Sequence, residues 1–294
     1  MSVAARQYRV VHDTHYAYSS QVSNGHHFAH LTPRGTPRQQ MSNHVMEFDP
    51  QPAEITDIVD YFGNHTLRFL INRPHESLRV TASSILKVTP PQYENDLLQN
   101  HWELALCESI YTVEPLDVVE MRLPSPQVEC LKETRQYAQQ YFTPGRPWFD
   151  AMLELTQQIK ADFVYDPAAT TVTTPVAEVF ADKRGVCQDF AHLMLSCLRA
   201  LQLPARYVSG YILNDPPPGE EKLQGADASH AWVESWFPGV GWIGFDPTNG
   251  KQADADFITL AWGREFMDVT PLRGVVLGGG EHELTVRVAV TRMG

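Results

Sequence analysis

Cysteine is scarce in this chain, which has four cysteines among its 294 residues. They are Cys107, Cys130, Cys187 and Cys197, too few and too scattered for a disulfide framework in a protein of this length. This scarcity excludes the small, disulfide-rich secreted class of protein. We therefore expect a cytoplasmic protein, in which one cysteine can act as a nucleophile while the others pack in the core.

Basic residues are also in short supply. The 23 Lys and Arg face 35 Asp and Glu, which gives a formal net charge of −12. Because phosphate groups are bound by clustered Lys and Arg, this balance argues against a nucleic-acid partner and against an anionic membrane surface. No run of basic residues offsets the argument, so functions that depend on binding polyanions are excluded.

Long apolar runs are missing as well. No stretch approaches the roughly 18 apolar residues that a membrane span requires. The N-terminus MSVAARQYRVVHDTHYAYSS has neither an apolar h-region nor a cleavage signature. We therefore expect no membrane span and no signal peptide. The 43% of hydrophobic and 20% of charged residues are typical of a globular protein.

What the sequence does contain is a change of pattern along the chain. Residues 1–92 hold runs rich in Val, Tyr, Thr and Ile that are broken by turn residues, which predicts an N-terminal antiparallel β domain. Residues 93–125 are punctuated by proline and are predicted to be a connector. Residues 126–262 mix helical and strand patterns and are predicted to form the core. Residues 263–294 end in the alternating ELTVRVAVTRM, a strand expected to pack on the N-terminal domain.

Two helix starts can be placed from the sequence. Ser125 and Pro126 are expected to begin one helix. The clearest helix follows Cys187 in RGVCQDFAHLML, where unpaired backbone N–H groups and the helix dipole favour thiolate over thiol. Gly185 is expected to let the chain turn into this helix, and Asp189 to have a structural role in its first turn. Its apolar stripe consists of Phe190, Leu193, Met194, Cys197, Leu198 and Leu201.

A predicted hairpin further along supplies a histidine and an aspartate. SHAWVESWF carries His230, and GWIGFDPT carries Asp246. If the loop is residues 238–240, Phe237 pairs with Gly241, and Asp246 lies diagonal to His230 on the same face, within side-chain reach. A four-residue loop without a bulge would place the two on opposite faces. Taken alone, each has an ordinary interpretation, as a strand histidine and as a turn-starting aspartate.

The order of cysteine, histidine and aspartate resembles the transglutaminase-like superfamily of papain-like fold. It resembles more closely the bacterial proteins that couple such a core to an N-terminal β domain. The core motifs are GVCQDFAHLMLSCLRALQLPARYVSGY and DASHAWVESWFPGVGWIGFDPTNG, with softer matches in HDTHYAYSSQV, HLTPRGTPRQQ and PLRGVVLGGGEHELTVRVAV. The implied fold class is α+β: a papain-like (transglutaminase-type) core plus an N-terminal antiparallel β domain.

The resemblance also implies a catalytic triad. It makes Cys187 the nucleophile, His230 the general base and Asp246 the residue that orients the base. The reaction it implies is acyl transfer on an amide bond through a thioester, with a peptide or protein amide as substrate and no metal or organic cofactor. The backbone N–H of Cys187 is the expected oxyanion donor. Tyr165 and Trp148 are the candidates for an aromatic second donor.

Three functions stay open on the sequence. The expected one is a cysteine peptidase or amidase. A protein or polyamine transglutaminase is the alternative, because the same triad serves when an amine rather than water reaches the thioester. A non-catalytic peptide-binding module is the third. The sequence assigns no oligomeric state.

Two further segments are weaker candidates for a functional role. His26, His27 and His30 resemble a metal cluster, but strand-and-loop spacing does not bring them together. Residues 214–229 form a polar Pro/Gly loop just before His230, where a substrate-contacting lid and a passive surface loop are both open.

Overall fold

The N-terminal part of the protein is an antiparallel sheet in a computed structural model that describes residues 4–94, 98–106, 116–213 and 229–293. Five strands follow the order β2-β5-β1-β4-β3. They are β1 (Arg6–Ala29), β2 (Gln39–Asp49), β3 (Glu54–Val59), β4 (His65–Ile71) and β5 (His75–Val88). The first half of β1 pairs with β5 and the second half with β4. The β1 strand therefore runs through the whole sheet.

The helices follow the five N-terminal strands along the chain, together with short 3-10 helices at Trp102–Ala105, Glu120–Arg122 and Phe266–Asp268. The α-helices are α1 (Leu116–Val119), α2 (Lys132–Gln139), α3 (Trp148–Asp162), α4 (Val176–Asp182) and α5 (Cys187–Ala200). The helix predicted after Cys187 is confirmed as α5, and its apolar stripe is buried. No helix in the described ranges is long and apolar enough to cross a membrane.

The helix start predicted at Ser125 is wrong. The α2 helix begins at Lys132, and Ser125 instead forms a β-bridge with Val128. The Ser125 hydroxyl accepts a hydrogen bond from the buried Arg199 guanidinium at 3.3 Å. A tertiary contact therefore uses the side chain that local sequence would assign to a helix cap.

The core sheet is antiparallel, in the order β11-β10-β9-β8-β12. A separate parallel pair is formed by β6 (Val164–Tyr165) and β7 (Arg184–Gly185). The sheet strands are β8 (Ala205–Ile212), β9 (Ser229–Phe237), β10 (Gly241–Asp246), β11 (Lys251–Gln252) and β12 (Phe257–Gly263). The α5 helix packs on β8 and β9, which places the start of the helix beside the sheet.

The last two strands leave the core and pair with β1. The β13 strand (Leu272–Gly278) pairs with residues 22–29, and β14 (His282–Met293) pairs with residues 7–18. The alternation of ELTVRVAVTRM is thus the pattern of a strand in the N-terminal sheet. The domain boundaries at residues 92, 125 and 262 stay predictions.

Two buried amides join the N-terminal sheet to the edge of the core sheet. Gln39 donates to the carbonyl of Thr259 at 2.6 Å and accepts from the N–H of Thr259 at 2.9 Å. Asn64 donates to the carbonyl of Trp262 at 2.8 Å and accepts from the N–H of Trp262 at 3.0 Å. The two amides therefore supply β12 with the backbone partners that an edge strand otherwise lacks.

We expect Asn64→Ala to lower the free energy of unfolding by about 2 kcal/mol, because it leaves a backbone N–H and C=O of Trp262 without a partner. The measurement is urea unfolding, where the midpoint falls at an unchanged slope. The control is Gln51→Ala, whose exposed amide donates to the Phe48 carbonyl at 2.9 Å. An equal loss in both variants would contradict the assignment of Asn64 as a buried clamp.

Candidate active site

The hairpin register is the one that a three-residue loop predicts. Phe237 pairs with Gly241, and Val233 pairs with Phe245. This places His230 and Asp246 diagonally on one face, with Nε2 of His230 2.8 Å from Oδ2 of Asp246. His230 is 9% exposed and Asp246 is fully buried. The pair is therefore a short polar contact shielded from water.

Asp246 starts a turn and also holds the histidine. Its Oδ1 accepts the N–H groups of Thr248 and Asn249 at 2.9 and 3.2 Å. Its Oδ2 accepts the side-chain amide of Asn249 at 2.6 Å in addition to His230. Burial raises the pKa of Asp246, but the hydrogen bonds from His230 and Asn249 outweigh it and hold that pKa below its usual value. The carboxylate is therefore ionised and fixed in place.

Cys187 meets the same histidine from the start of α5. It is the first residue of the helix, after the N-cap Val186, and its side chain is partly exposed. Cys187 lies close enough to His230 to raise the pKa of the imidazole. Because Nε2 is occupied by Asp246, the nitrogen left for the thiol is Nδ1. Burial lowers the pKa of His230, but Asp246 and Cys187 together raise it above its usual value, which favours the protonated imidazolium.

Asp189 and Gly185 set the helix start. Oδ2 of Asp189 accepts the N–H of Val186 at 2.8 Å and the hydroxyl of Thr170 at 2.6 Å. The structural role expected for Asp189 is borne out by these contacts. The turn expected at Gly185 is not observed, because the residue lies in β7 and has no positive φ. A Cβ at Gly185 would lie 2.7 Å from the Asp189 carboxylate, so glycine is required there by close packing.

Further polar contacts fix α5 along its length. His192 Nε2 accepts the N–H of Phe266 at 3.1 Å. The Arg199 guanidinium donates to the carbonyls of Ala205 and Arg264 at 2.9 and 2.6 Å. Both side chains are buried. These bonds hold the helix that carries Cys187 against β8 and the segment after β12.

Two aromatic side chains pack near the His230 ring. Trp232 stacks near the His230 ring at 6.3 Å, and Phe257 lies 6.1 Å away. A Cβ at Gly210 would lie 2.5 Å from Cη2 of Trp232, and one at Gly244 would lie 3.3 Å from its Nε1. Two glycines on neighbouring strands therefore make room for the indole. These glycines could not be recognised from the sequence, since their small size matters only once β8 and β10 lie on either side of the Trp232 strand.

We expect Gly210→Ala to destabilise the protein by about 2 kcal/mol, because the new methyl group would lie 2.1 Å from the Ile258 carbonyl oxygen and against Trp232. Thermal unfolding measures the effect. The control is Gly35→Ala, since a Cβ there meets nothing within 4 Å. If both variants melt at the wild-type temperature, the packing argument for Trp232 is wrong.

The two candidates for a second oxyanion donor lie in different surroundings. Tyr165 pairs with Gly185 across β6 and β7. Its ring contacts Phe190 of α5 edge-on at 6.4 Å, and the side chain is 52% exposed. Trp148 is fully buried and packs on Phe237 at 4.9 Å. The structure thus brings Tyr165, but not the Trp148 indole, to the surface near the start of α5.

The other segments noted in the sequence do not join this site. His30 contacts the Thr270 carbonyl and Asp60, whereas His27 stacks on Phe69 at 4.8 Å. Within the residues that the structure describes, no group of three or more His, Cys, Asp or Glu could hold a metal ion. Cys107 lies outside the described residues, and so does the polar loop of residues 214–229 except Ser229.

Comparisons with known proteins match both parts of the chain. The model of the bacterial transglutaminase-like N-terminal region matches residues 8–87. The model of the transglutaminase-like superfamily matches residues 135–247. The uncharacterized protein Rv2569c of Mycobacterium tuberculosis is 38% identical over 289 residues, covering 95% of this chain and 90% of that protein.

Two further similarities concern part of the chain and the whole fold. A protein-glutamine gamma-glutamyltransferase of Pseudomonas aeruginosa is 36% identical over 94 residues, 29% of this chain and 14% of that protein. A solved structure from Cytophaga hutchinsonii, named "Putative Cysteine Protease", has a TM-score of 0.78 at 20% identity and covers 100% of this chain and 93% of that chain. At this identity the structural likeness establishes a shared fold. The chain belongs to the transglutaminase-like superfamily and carries a bacterial transglutaminase-like N-terminal region ahead of its core.

Proposed function

We propose that this protein is a thiol acyl-transfer enzyme that cleaves amide bonds of peptides or proteins, as a cysteine peptidase or amidase. The observation that carries the proposal is the position of His230, whose Nε2 lies 2.8 Å from Oδ2 of Asp246 and whose pKa is raised by both Asp246 and Cys187. A nucleophile, a base and a group that orients the base are what thiol catalysis requires. The cytoplasmic location stays a prediction from the sequence.

The first half-reaction forms the thioester. The Cys187 thiolate attacks the amide carbonyl carbon, and the π electrons move to the oxygen. The backbone N–H of Cys187, at the start of α5, donates to that oxyanion. The C–N bond then breaks as the His230 imidazolium passes the proton on Nδ1 to the leaving nitrogen. The products are a free amine and an acyl group on the sulfur of Cys187.

The second half-reaction returns the enzyme to its starting state. Neutral His230 takes a proton from water while the water oxygen attacks the thioester carbonyl. The C–S bond breaks, which restores the Cys187 thiolate and releases a carboxylic acid. Asp246 accepts the Nε2–H of His230 throughout, which keeps Nδ1 towards the sulfur and stabilises the imidazolium.

Transfer to an amine is the second candidate function. It is supported by the similarity of 94 residues to the protein-glutamine gamma-glutamyltransferase of Pseudomonas aeruginosa. In this reaction the amine of a lysine or polyamine replaces water in the second half-reaction, and the same three residues act. A purely binding role is disfavoured, because all three side chains are present and connected through His230.

The test is incubation with a peptide library, with and without a dansylated primary amine, followed by mass spectrometry. Hydrolysis gives new peptide termini, whereas transfer gives dansyl-labelled peptides. The matched control is the Cys187→Ala protein under the same conditions. If the wild-type protein yields neither product above that control, the enzymatic proposal is wrong and the binding role takes its place.

A further inference from the structure

The two oxygens of the Asp246 carboxylate are held by different kinds of donors. Oδ1 accepts the backbone N–H groups of Thr248 and Asn249. Oδ2 accepts two side chains, with Nε2 of His230 at 2.8 Å and Nδ2 of Asn249 at 2.6 Å. The oxygen that contacts the proposed general base is therefore also held by the Asn249 amide, whereas the backbone bonds hold the other oxygen.

The turn that carries Asn249 is fixed through its backbone. The N–H of Gly250 donates to the carbonyl of Asp246 at 2.8 Å, and Asp246 pairs with Lys251 between β10 and β11. Gly250 has a φ of 67°, and a Cβ there would lie 3.1 Å from Cβ of Lys160 in α3. Asn249 has no positive φ. We therefore expect Asn249→Ala to keep the turn and the bonds to Oδ1, and to remove only the amide bond to Oδ2.

Asn249 and Asp246 differ in their exposure to solvent. The Asp246 side chain is fully buried, whereas Asn249 is exposed. Because its amide lies 2.6 Å from Oδ2, Asn249 stands between that oxygen and the solvent. Water can replace an exposed hydrogen bond when one partner is removed, which ordinarily makes the loss small. Here the replacement has a consequence, because water at Oδ2 would compete with Nε2 of His230 for the carboxylate.

The same amide affects the charges of the triad. Burial raises the pKa of Asp246, whereas the hydrogen bonds from His230 and Asn249 lower it. Without the Asn249 amide, the carboxylate has lost one of the donors that favour its ionised form. The imidazolium of His230 then loses part of the charge that stabilises it, and the Cys187 thiolate in turn depends on that imidazolium.

We propose that Asn249 is a positioning residue of the triad, whose side-chain amide holds Oδ2 of Asp246 against Nε2 of His230 and shields that oxygen from water. This inference rests on the proposed function of Cys187. Groups that orient a catalytic side chain from behind contribute to activity without touching the substrate. The loss of the amide should therefore change the rate of the chemical steps and leave substrate binding as it is.

The first test is the steady-state turnover of a peptide substrate by two variants of this residue. We expect Asn249→Ala to lower kcat by about tenfold at an unchanged KM, the effect of one charge-assisted hydrogen bond partly replaced by water. Asn249→Asp keeps the shape of the side chain but has no NH₂ donor, so it should lose at least as much.

The control for both variants is Gln51→Ala. It also removes an exposed amide, one that donates to the Phe48 carbonyl between β2 and β3, and kcat should stay at the wild-type level. An unchanged kcat in Asn249→Ala would overturn the proposal. A rise in KM alone would overturn it as well, because it would make Asn249 a substrate contact.

The second test needs no substrate and follows the rate of Cys187 alkylation by iodoacetamide against pH. In the wild-type protein the rate should level off well below the ordinary cysteine pKa of about 8.5, because the imidazolium stabilises the thiolate. In Asn249→Ala we expect the rate to level off at higher pH. A role in turn stability alone would lower the melting temperature and leave this profile unchanged, and that result would overturn the proposal. A profile that moves to lower pH would also overturn it, because Asn249 would then weaken the contact between Asp246 and His230.

The wild-type profile separates the two possible failures. If Cys187 of the wild-type protein is alkylated no faster than the exposed Cys130, the proposed function fails and this inference fails with it. If Cys187 reacts faster than Cys130 at neutral pH while Asn249→Ala behaves like the wild-type protein, the proposed function stands and the positioning role of Asn249 alone is wrong.

Discussion

Cys187→Ala is expected to lower the rate of amide turnover by about 10⁴-fold to 10⁶-fold. The variant removes the only atom that can form the thioester, so what remains is the effect of binding and of the N–H groups at the start of α5. Alanine keeps the good helix propensity of the first turn, and Asp189 still caps Val186. The measurement is the turnover of a peptide selected from the library, at saturating concentration.

The control for this variant is Cys130→Ala. Cys130 is exposed and belongs to neither the triad nor its supports, so turnover should stay at the wild-type level. A direct readout is the acyl adduct, which should appear by mass spectrometry on the peptide that contains Cys187 and be absent from the alanine variant. Turnover by Cys187→Ala above a tenth of the wild-type rate would contradict a thioester mechanism.

The hairpin register could be predicted because it depends on a few adjacent residues. Its loop contains Gly239 with a φ of 76°, and Gly241 follows with a φ of 88°. Such conformations favour glycine, so the two glycines in the sequence indicate a tight turn at this point. Once Phe237 faces Gly241, strand alternation places the His230 and Asp246 side chains on one face. The geometry of the pair thus follows from counting residues once the loop is known to have three residues, a length that the sequence left open.

The surroundings of this pair could not be predicted in the same way, because distant segments build them. Gln39 contacts Thr259 across a separation of 220 residues, and Asn64 contacts Trp262 across 198. No periodicity in the sequence relates these positions. The space for Trp232 likewise comes from Gly210 on the preceding strand of the sheet, whose small size has meaning only after the strands pair.

Local signals failed where a residue serves a tertiary contact. Ser125 has the sequence features of a helix cap, but its hydroxyl accepts from Arg199, and the helix begins at Lys132. Gly185 has the features of a turn, but its missing side chain makes room for Asp189. In both cases the residue has a specific structural role, but it is a tertiary one that the neighbouring sequence does not reveal.

Asp246→Asn is expected to lower kcat/KM by about 10³-fold to 10⁴-fold. Every group that contacts the Asp246 carboxylate is a donor: the N–H groups of Thr248 and Asn249, the Asn249 amide and His230. An asparagine has one acceptor oxygen and one donor NH₂ group. In one orientation the NH₂ group faces the N–H groups of the turn, and in the other it faces His230, so one set of donors loses its acceptor. The histidine then loses the partner that selects its tautomer.

The pH profile separates this role from a purely structural one. Asp246 raises the pKa of His230 against the lowering effect of burial, so the imidazolium persists above the ordinary histidine value of about 6.5. Without that carboxylate, burial remains, and the alkaline limb of kcat/KM should move to lower pH. The control is Asp254→Asn, which also removes a turn carboxylate, one that accepts the N–H of Asp256 at 2.8 Å. An alkaline limb that moves equally in both variants, or in neither, would mean that Asp246 acts through the turn and does not set the charge of His230.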